Sequence, residues 1–184
     1  MKRMFCLAVV VLSVIAVPSF AANAKGSAEL GFDYGNTQLD SNTGFDSASS
    51  LAVRGGYFFN PMFEVEGQIA HTSQDTTSAG VNVDGKSRLY MVNGVFNFYP
   101  KDELTPYVMA GVGVADNQVE ALGQTVSDSS VAYQVGAGSR FYFGKSKRTA
   151  FRVDVSLVNE STFDQSSTHT NYSGGFTWKI GSGH

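Results

Sequence analysis

From residue 26 onward the chain is a succession of short segments in which apolar and polar residues alternate. A period of two sends successive side chains to opposite faces, so each segment reads as a strand with one greasy and one polar side. The first, residues 28–34, sets Ala28, Leu30, Phe32 and Tyr34 against Glu29, Gly31 and Asp33. The second (51–59) sets Leu51, Val53 and Tyr57 against Arg54; the third (63–71) sets Phe63, Val65 and Ile69 against Glu64, Glu66 and Gln68. In the fourth (88–99), Tyr90, Val92, Phe96 and Phe98 oppose Asn93 and Asn97. It is ambiguous, because Leu89, Met91 and Val95 share the asparagine face and Arg88 the other. The fifth (106–115) has Val108, Ala110, Val112 and Val114 opposite Gly111 and Gly113. The sixth (131–143) has Val131, Tyr133, Val135, Phe141 and Phe143 opposite Gln134, Gly136, Gly138 and Arg140. The seventh (151–157) places Phe151, Val153, Val155 and Leu157 against Arg152, Asp154 and Ser156. The eighth (172–180) places Tyr172, Phe176, Trp178 and Ile180 against Ser173, Gly175, Thr177 and Lys179. Eight is an even count, as a closed bacterial barrel requires.

The connections sort by parity. Those at 59–62, 100–105 and 144–148 are short, while 36–50, 72–85, 116–129 and 159–170 are long. A soluble sandwich has no reason to alternate its loops in this way. A membrane barrel does, with short periplasmic turns and longer extracellular loops. The expected fold is all-β: an eight-stranded antiparallel transmembrane β-barrel.

Which face meets lipid follows from the aromatics. The greasy face carries Tyr34, Tyr57, Phe59, Phe63, Phe98, Phe141, Phe143, Tyr172 and Trp178 near segment ends, a pattern suited to girdles at two membrane interfaces. So many rings would overfill the interior of a small soluble barrel, which has room only for packed side chains. The polar face then points inward, and Glu29, Arg54, Glu64, Glu66, Arg140, Arg152, Asp154 and Lys179 are expected to pair in the lumen. Unpaired charges there would be costly. Glycines at inward positions (31, 111, 113, 136, 138 and 175) are expected to leave room for the long side chains.

The first 24 residues read as a signal peptide, leaving 25–184 as one barrel domain. Lys2 and Arg3 precede an apolar run of thirteen residues, 5–17, and small residues offer cleavage after Ala21 or Ala24; the run is too short to span a bilayer as a helix. Cys6, the sole cysteine, lies within that leader, so a mature chain has no thiol for a disulfide, a zinc site or a nucleophile. Of the 13 basic residues Lys2 and Arg3 leave with the leader, so 11 face 16 acidic ones, a formal charge of −5. That balance argues against nucleic acid as a partner.

Two stretches resemble a known group. Pro106-Tyr107-Val108-Met109-Ala110-Gly111-Val112-Gly113 looks like the PYxxxGxG strand of the small outer-membrane β-barrel family, which includes OmpA-type and opacity-type barrels. Arg54-Gly55-Gly56-Tyr57-Phe58, ahead of a turn holding Pro61, is similar to that family's second strand. The resemblance covers about residues 26–180. It implies a C-terminal assembly signal in Ser173, Gly175, Trp178 and Ile180, with Ile180 where an aromatic is usual. The implied partners are the barrel-assembly machinery, outer-membrane lipid and lipopolysaccharide.

Function is expected to be that of a structural or surface-interaction scaffold in the outer membrane, with loops available to a surface ligand. A narrow pore for small or hydrophobic solutes is the alternative; a lipid-modifying enzyme is a distant one. His71, His169 and His184 show no ligand spacing, and a His–Ser–acid constellation cannot be read from two isolated histidines in Ser/Thr-rich loops. No catalytic residue, cofactor or metal is expected. The loops are acidic, carrying Asp40, Asp46, Asp75, Asp84, Asp116, Glu120, Asp128, Glu160 and Asp164. Solvation explains carboxylates in exposed loops; recruitment of Ca²⁺ or Mg²⁺ is the sharper reading.

Overall fold

A computed structural model describes residues 25–38, 48–78, 81–100, 103–121, 124–144, 147–162 and 165–180. The expected signal peptide, its two cleavage points, His184, Asp40, Asp46 and Asp164 lie outside them. Eight strands follow one another: β1 (Ala28–Gln38), β2 (Ala48–Phe58), β3 (Phe63–Ser78), β4 (Val81–Asn97), β5 (Leu104–Ala121), β6 (Gln124–Phe143), β7 (Thr149–Thr162) and β8 (Gln165–Ile180). Each pairs antiparallel with its neighbours in sequence, and β1 pairs with β8 to close the barrel. Closure removes the free edge that an open sheet would present.

The alternation seen in the sequence is the alternation of the wall. Along β2 every second residue from Ala48 to Phe58 is buried and those between are exposed. The burial is inverted relative to a water-soluble protein: Val53 is 47% exposed while its neighbour Arg54 is 3% exposed. Apolar side chains cover the outside and charged ones fill the inside, which is stable only where hydrocarbon replaces water around the wall.

The ambiguous fourth segment resolves with its asparagines inward. Asn93 and Asn97 are fully buried, and Met91 and Val95 lie inside with them. Arg88 is on the outer face, exposed.

The strands are longer than the alternation suggested. Ser78 pairs with Val81, Ala121 with Gln124 and Thr162 with Gln165, so three of the four long connections are mostly paired strand. Thr and Ser are frequent in the extensions of β3, β6 and β8. Beyond the lipid the outer face need not be apolar, so the period-two signal fades while the backbone ladder, helped by β-favouring Thr, continues. Residues 39–47, between β1 and β2, lie outside the described ones.

The opposite end has tight turns. The Asn60 side-chain oxygen accepts hydrogen bonds from the backbone N–H groups of Met62 (2.8 Å) and Phe63 (2.9 Å), the Asx arrangement that lets the chain reverse beside Pro61. Gly144 takes a left-handed φ of 80°, and its carbonyl accepts from the Lys147 N–H at 3.1 Å. The Ala28–Ile180 pair lies at this same end.

Candidate functional site: an ion-paired barrel interior

Three arginines on different strands meet five carboxylates in the half of the lumen near the turns. From β2, Arg54 reaches Asp33 of β1 through Nε (2.5 Å), Glu66 of β3 through Nη1 (3.0 Å), and approaches Asp154 of β7 (3.7 Å). Arg152 of β7 donates to Glu66 and, through Nε, to Asp154 (2.9 Å). On β6, Arg140 donates to Glu64 (2.9 Å) and Asn97 (2.6 Å) and lies 2.9 Å from Glu29. Glu66 thus sits among all three guanidinium groups, with Arg140 Nη2 at 3.7 Å. These side chains are at most 3% exposed.

Tyr107 is wedged between Arg140 and Arg152, whose guanidinium carbons lie 4.6 and 4.8 Å from its ring centroid. Cation–π attraction strengthens where water is excluded. Its hydroxyl donates to Asp154. Room for the ring comes from Gly138, where a Cβ would collide with the Tyr107 hydroxyl and lie 2.5 Å from the Val153 carbonyl oxygen. At the turn end Lys179 packs its ammonium 3.9 Å from the centroid of Tyr142, whose hydroxyl donates to Glu29 (3.3 Å).

The structure therefore brings all eight charged lumen candidates to the interior and adds Asp33, Tyr107 and Tyr142. Asp33 was visible in the sequence, on the same face as Glu29. Tyr107 shares the alternation of Gly111 and Gly113, and Tyr142 that of Gln134 and Arg140, so both stand on the inward face of the sequence, but only closure of the ring shows which charges they meet. The inward glycines serve mainly other neighbours than the arginines: Gly111 faces Asn93, Gly113 faces Met91, Gly136 faces Met109, and Gly175 faces Asp33.

Above the charged layer the lumen is filled by apolar and amide groups. Met91, Ala115, Ala132 and Val158 form one cluster, with Val95, Tyr107 and Met109 forming another. Asn93 donates to Gln68 at 3.3 Å. Nearer the hairpin end, His169 Nε2 and Glu160 Oε1 are 2.9 Å apart, and Asn117 donates to the other Glu160 oxygen at 3.5 Å. Glu160, counted among the acidic loops, is thus buried on β7 and paired, so it belongs to the interior. His71 is exposed on the outer wall while His169 points inward, so the two share no site. Among the described residues no three His, Cys, Asp or Glu side chains gather to hold a metal.

On the outside, Tyr57, Phe59, Phe63, Phe98, Phe141, Phe143 and Trp178 are exposed toward the turn end. Edge-to-face contacts link Tyr57 with Phe59 (5.1 Å) and Phe96 with Phe63 and Phe98 (5.0 Å each). Toward the hairpins the exposed rings are Tyr34, Tyr90, Tyr133 and Tyr172. On β8, Trp178 and Ile180 face outward and Gly175 inward, with Ser173 on the inward side of the alternation.

A closed antiparallel barrel, apolar outside and charged within, is a transmembrane β-barrel of the outer-membrane type. The sequence matches the family described as outer membrane protein beta-barrel domain over residues 7–181, and the chain belongs to that family. Among solved structures it is similar to the Neisserial surface protein A, at 13% identity over 85% of this chain and 100% of that one, TM-score 0.71. It is also similar to Ail, the attachment invasion locus protein of Yersinia pestis (19% identity, 85% and 99% covered, TM-score 0.59). The outer membrane protein OprG of Pseudomonas aeruginosa is similar too (11% identity, 89% and 100% covered, TM-score 0.54). At these identities the likeness is one of fold. No curated protein matches the sequence.

Proposed function

We propose that this protein is a plugged outer-membrane scaffold that acts through its surface and its hairpin end, and does not conduct solutes. The supporting observation is the filled lumen: Arg140, Arg152, Tyr107 and Glu66 are each at most 1% exposed at the heart of a cross-barrel ion network. Eight strands enclose only enough space for side chains. Opening a water path would require separating guanidinium–carboxylate pairs held in low dielectric, a costly step for each pair broken. Export through a leader at 1–24, insertion by assembly machinery reading Ser173, Gly175, Trp178 and Ile180, and a surface ligand at the hairpins belong to the same reading.

Reconstitution into planar bilayers tests it. The expected record is a flat baseline without unitary steps. Wide-porin steps, or swelling of liposomes in small sugars, would overturn it in favour of the pore.

A further inference from the structure

The rim of the barrel is uneven, and one tall strand lacks a neighbour. β5 and β6 stay paired up to Ala121 and Gln124, but β6 and β7 part after Ala132 and Glu160. β7 runs only as far as Thr162 before the chain returns in β8. Continuing the register sets Thr162 level with Ser130, so β6 rises past it by the six residues 124–129. At about 3.3 Å per residue that is roughly 20 Å of strand with β5 on one side only.

Alternate residues of a strand bond to opposite neighbours. The Tyr142 N–H donates to the Glu103 carbonyl, on the β5 side, at 2.7 Å, and the register is unbroken from there, so even-numbered residues of β6 bond toward β5. Odd-numbered ones turn toward the place that β7 vacates. Above the hairpin tip these are Thr125, Ser127 and Ser129, each offering a backbone N–H and C=O that meet no strand among the described residues. Native edges are commonly blunted by Lys, Pro or a bulge. The segment 124–131 has neither Lys nor Pro, and its pairing with β5 runs one to one. The edge of β3 above its last partner on β2, Ser49, offers only Asp75 and Thr77.

We propose that this edge of β6 receives an extended, cationic segment of a partner polypeptide, which adds antiparallel to it as a further strand. The assignment rests on the reading that the protein acts through its hairpin end, and it names the kind of partner. Strand addition draws affinity from main-chain bonds, so the edge sets the partner's conformation. Charge and side chains set its composition. The strand ends at 73–78, 81–88, 116–121 and 124–131 hold five acidic residues against two basic ones, an excess that steers a positive chain toward them. Val126 stands on the lumen side of the alternation yet is 55% exposed, a seat for an apolar residue at alternate positions of the partner. A second copy does not fit. The free groups point along the wall, over the barrel's own lower rim, where another barrel standing in the same membrane cannot reach.

The test uses the refolded barrel in neutral detergent and a short labelled peptide alternating lysine with valine, its binding read by fluorescence anisotropy. The native chain should bind it, more weakly as salt rises. The same peptide N-methylated at every amide, which cannot pair with a strand edge, should not bind, nor should one with glutamate in place of lysine. S127P removes an edge N–H that β5 does not use, so the ladder survives and binding should weaken about tenfold. S127A should bind as the native chain does. No binding by the native chain, equal binding of the N-methylated or acidic peptide, or a native response from S127P overturns the assignment. So does a dimer of the native chain that S127P abolishes, which would give the edge to a second copy. Folded and heat-unfolded forms of each variant are first compared on a gel; should S127P fail to fold, the N-methylated peptide still tests the edge on the native chain. The bilayer record keeps the two failures apart: a flat baseline without peptide binding sinks the docking edge alone, whereas channel steps sink the scaffold.

Discussion

Replacing Glu66 with glutamine keeps the size of the side chain and removes the charge that three arginines share. In the native barrel its oxygens accept from Arg54 at 3.0 Å and from both terminal nitrogens of Arg152, the longer contact at 3.4 Å. Hydrogen bonds to charged groups contribute about 1.5–3 kcal/mol each. Breaking a buried pair from one side costs about 3–5 kcal/mol because the partner charge stays behind uncompensated. Taking the two arginines together, E66Q should lose about 3–5 kcal/mol. With a urea slope near 2 kcal/mol per molar, the midpoint should fall by roughly 2 M. The assay is urea unfolding of the refolded barrel in lipid vesicles, followed by the fluorescence of Trp178, the only tryptophan. Combining E66Q with R152M removes the stranded charge as well, so the double variant should lose less than the sum of the singles, by about 1–3 kcal/mol. A loss below about 0.5 kcal/mol for E66Q, the scale of a surface change, or strict additivity in the cycle, would refute the claim that the lumen is held by mutual neutralisation.

Two further outcomes probe the walls. Val112 faces outward from the middle of β5 and is 52% exposed. V112R should destabilise the barrel in vesicles by about 2–4 kcal/mol, as an arginine at the bilayer midplane does; a change within about 0.5 kcal/mol would mean that water, not lipid, covers that face. G138A puts a methyl against the Tyr107 hydroxyl and the Val153 carbonyl and should cost about 1–3 kcal/mol by overpacking, measured in the same way. Adding Y107F should restore part of that loss, and its failure to do so would separate Gly138 from the ring it is argued to accommodate.

Much of the barrel was legible because lipid imposes a strict rule on one face of every strand. Leu51, Val53 and Tyr57 opposite Arg54 specify both the strand and the direction of its charge, since a one-residue slip would put the arginine into hydrocarbon. The rule ends where lipid ends. Residues 72–78 are polar on both faces, and 81–87 offer only Val81 and Val83 as an apolar face, so the alternation there was too weak to mark strand although the pairing continues to Ser78 and Val81. Inside, the candidate charges were legible but their partners were not. Arg152 meets Glu66 from 86 residues away and Arg140 meets Glu64 from 76. Such distances in sequence close only when the sheet curls, and no local pattern encodes which arginine reaches which acid. The mixed face of β4 was undecidable for a related reason: Met91 and Val95 suit either lipid or lumen, and the buried Asn93 and Asn97 decide it.

The ring closes by pairing the first strand with the last, and this orders events in assembly. Arg152 has Asp154 beside it on its own strand, but its contact with Glu66 and those of Arg140 with Glu64 and Glu29 reach back to β3 and β1, so a half-built sheet carries charges matched only in part. Such an intermediate is poorly tolerated by hydrocarbon, and zippering into lipid strand by strand would leave raw cations at the advancing front. The neutralisation is complete only when the seam shuts and β6 and β7 meet β1 and β3 across the lumen, which favours a concerted last step of insertion and a finished cylinder slow to reopen.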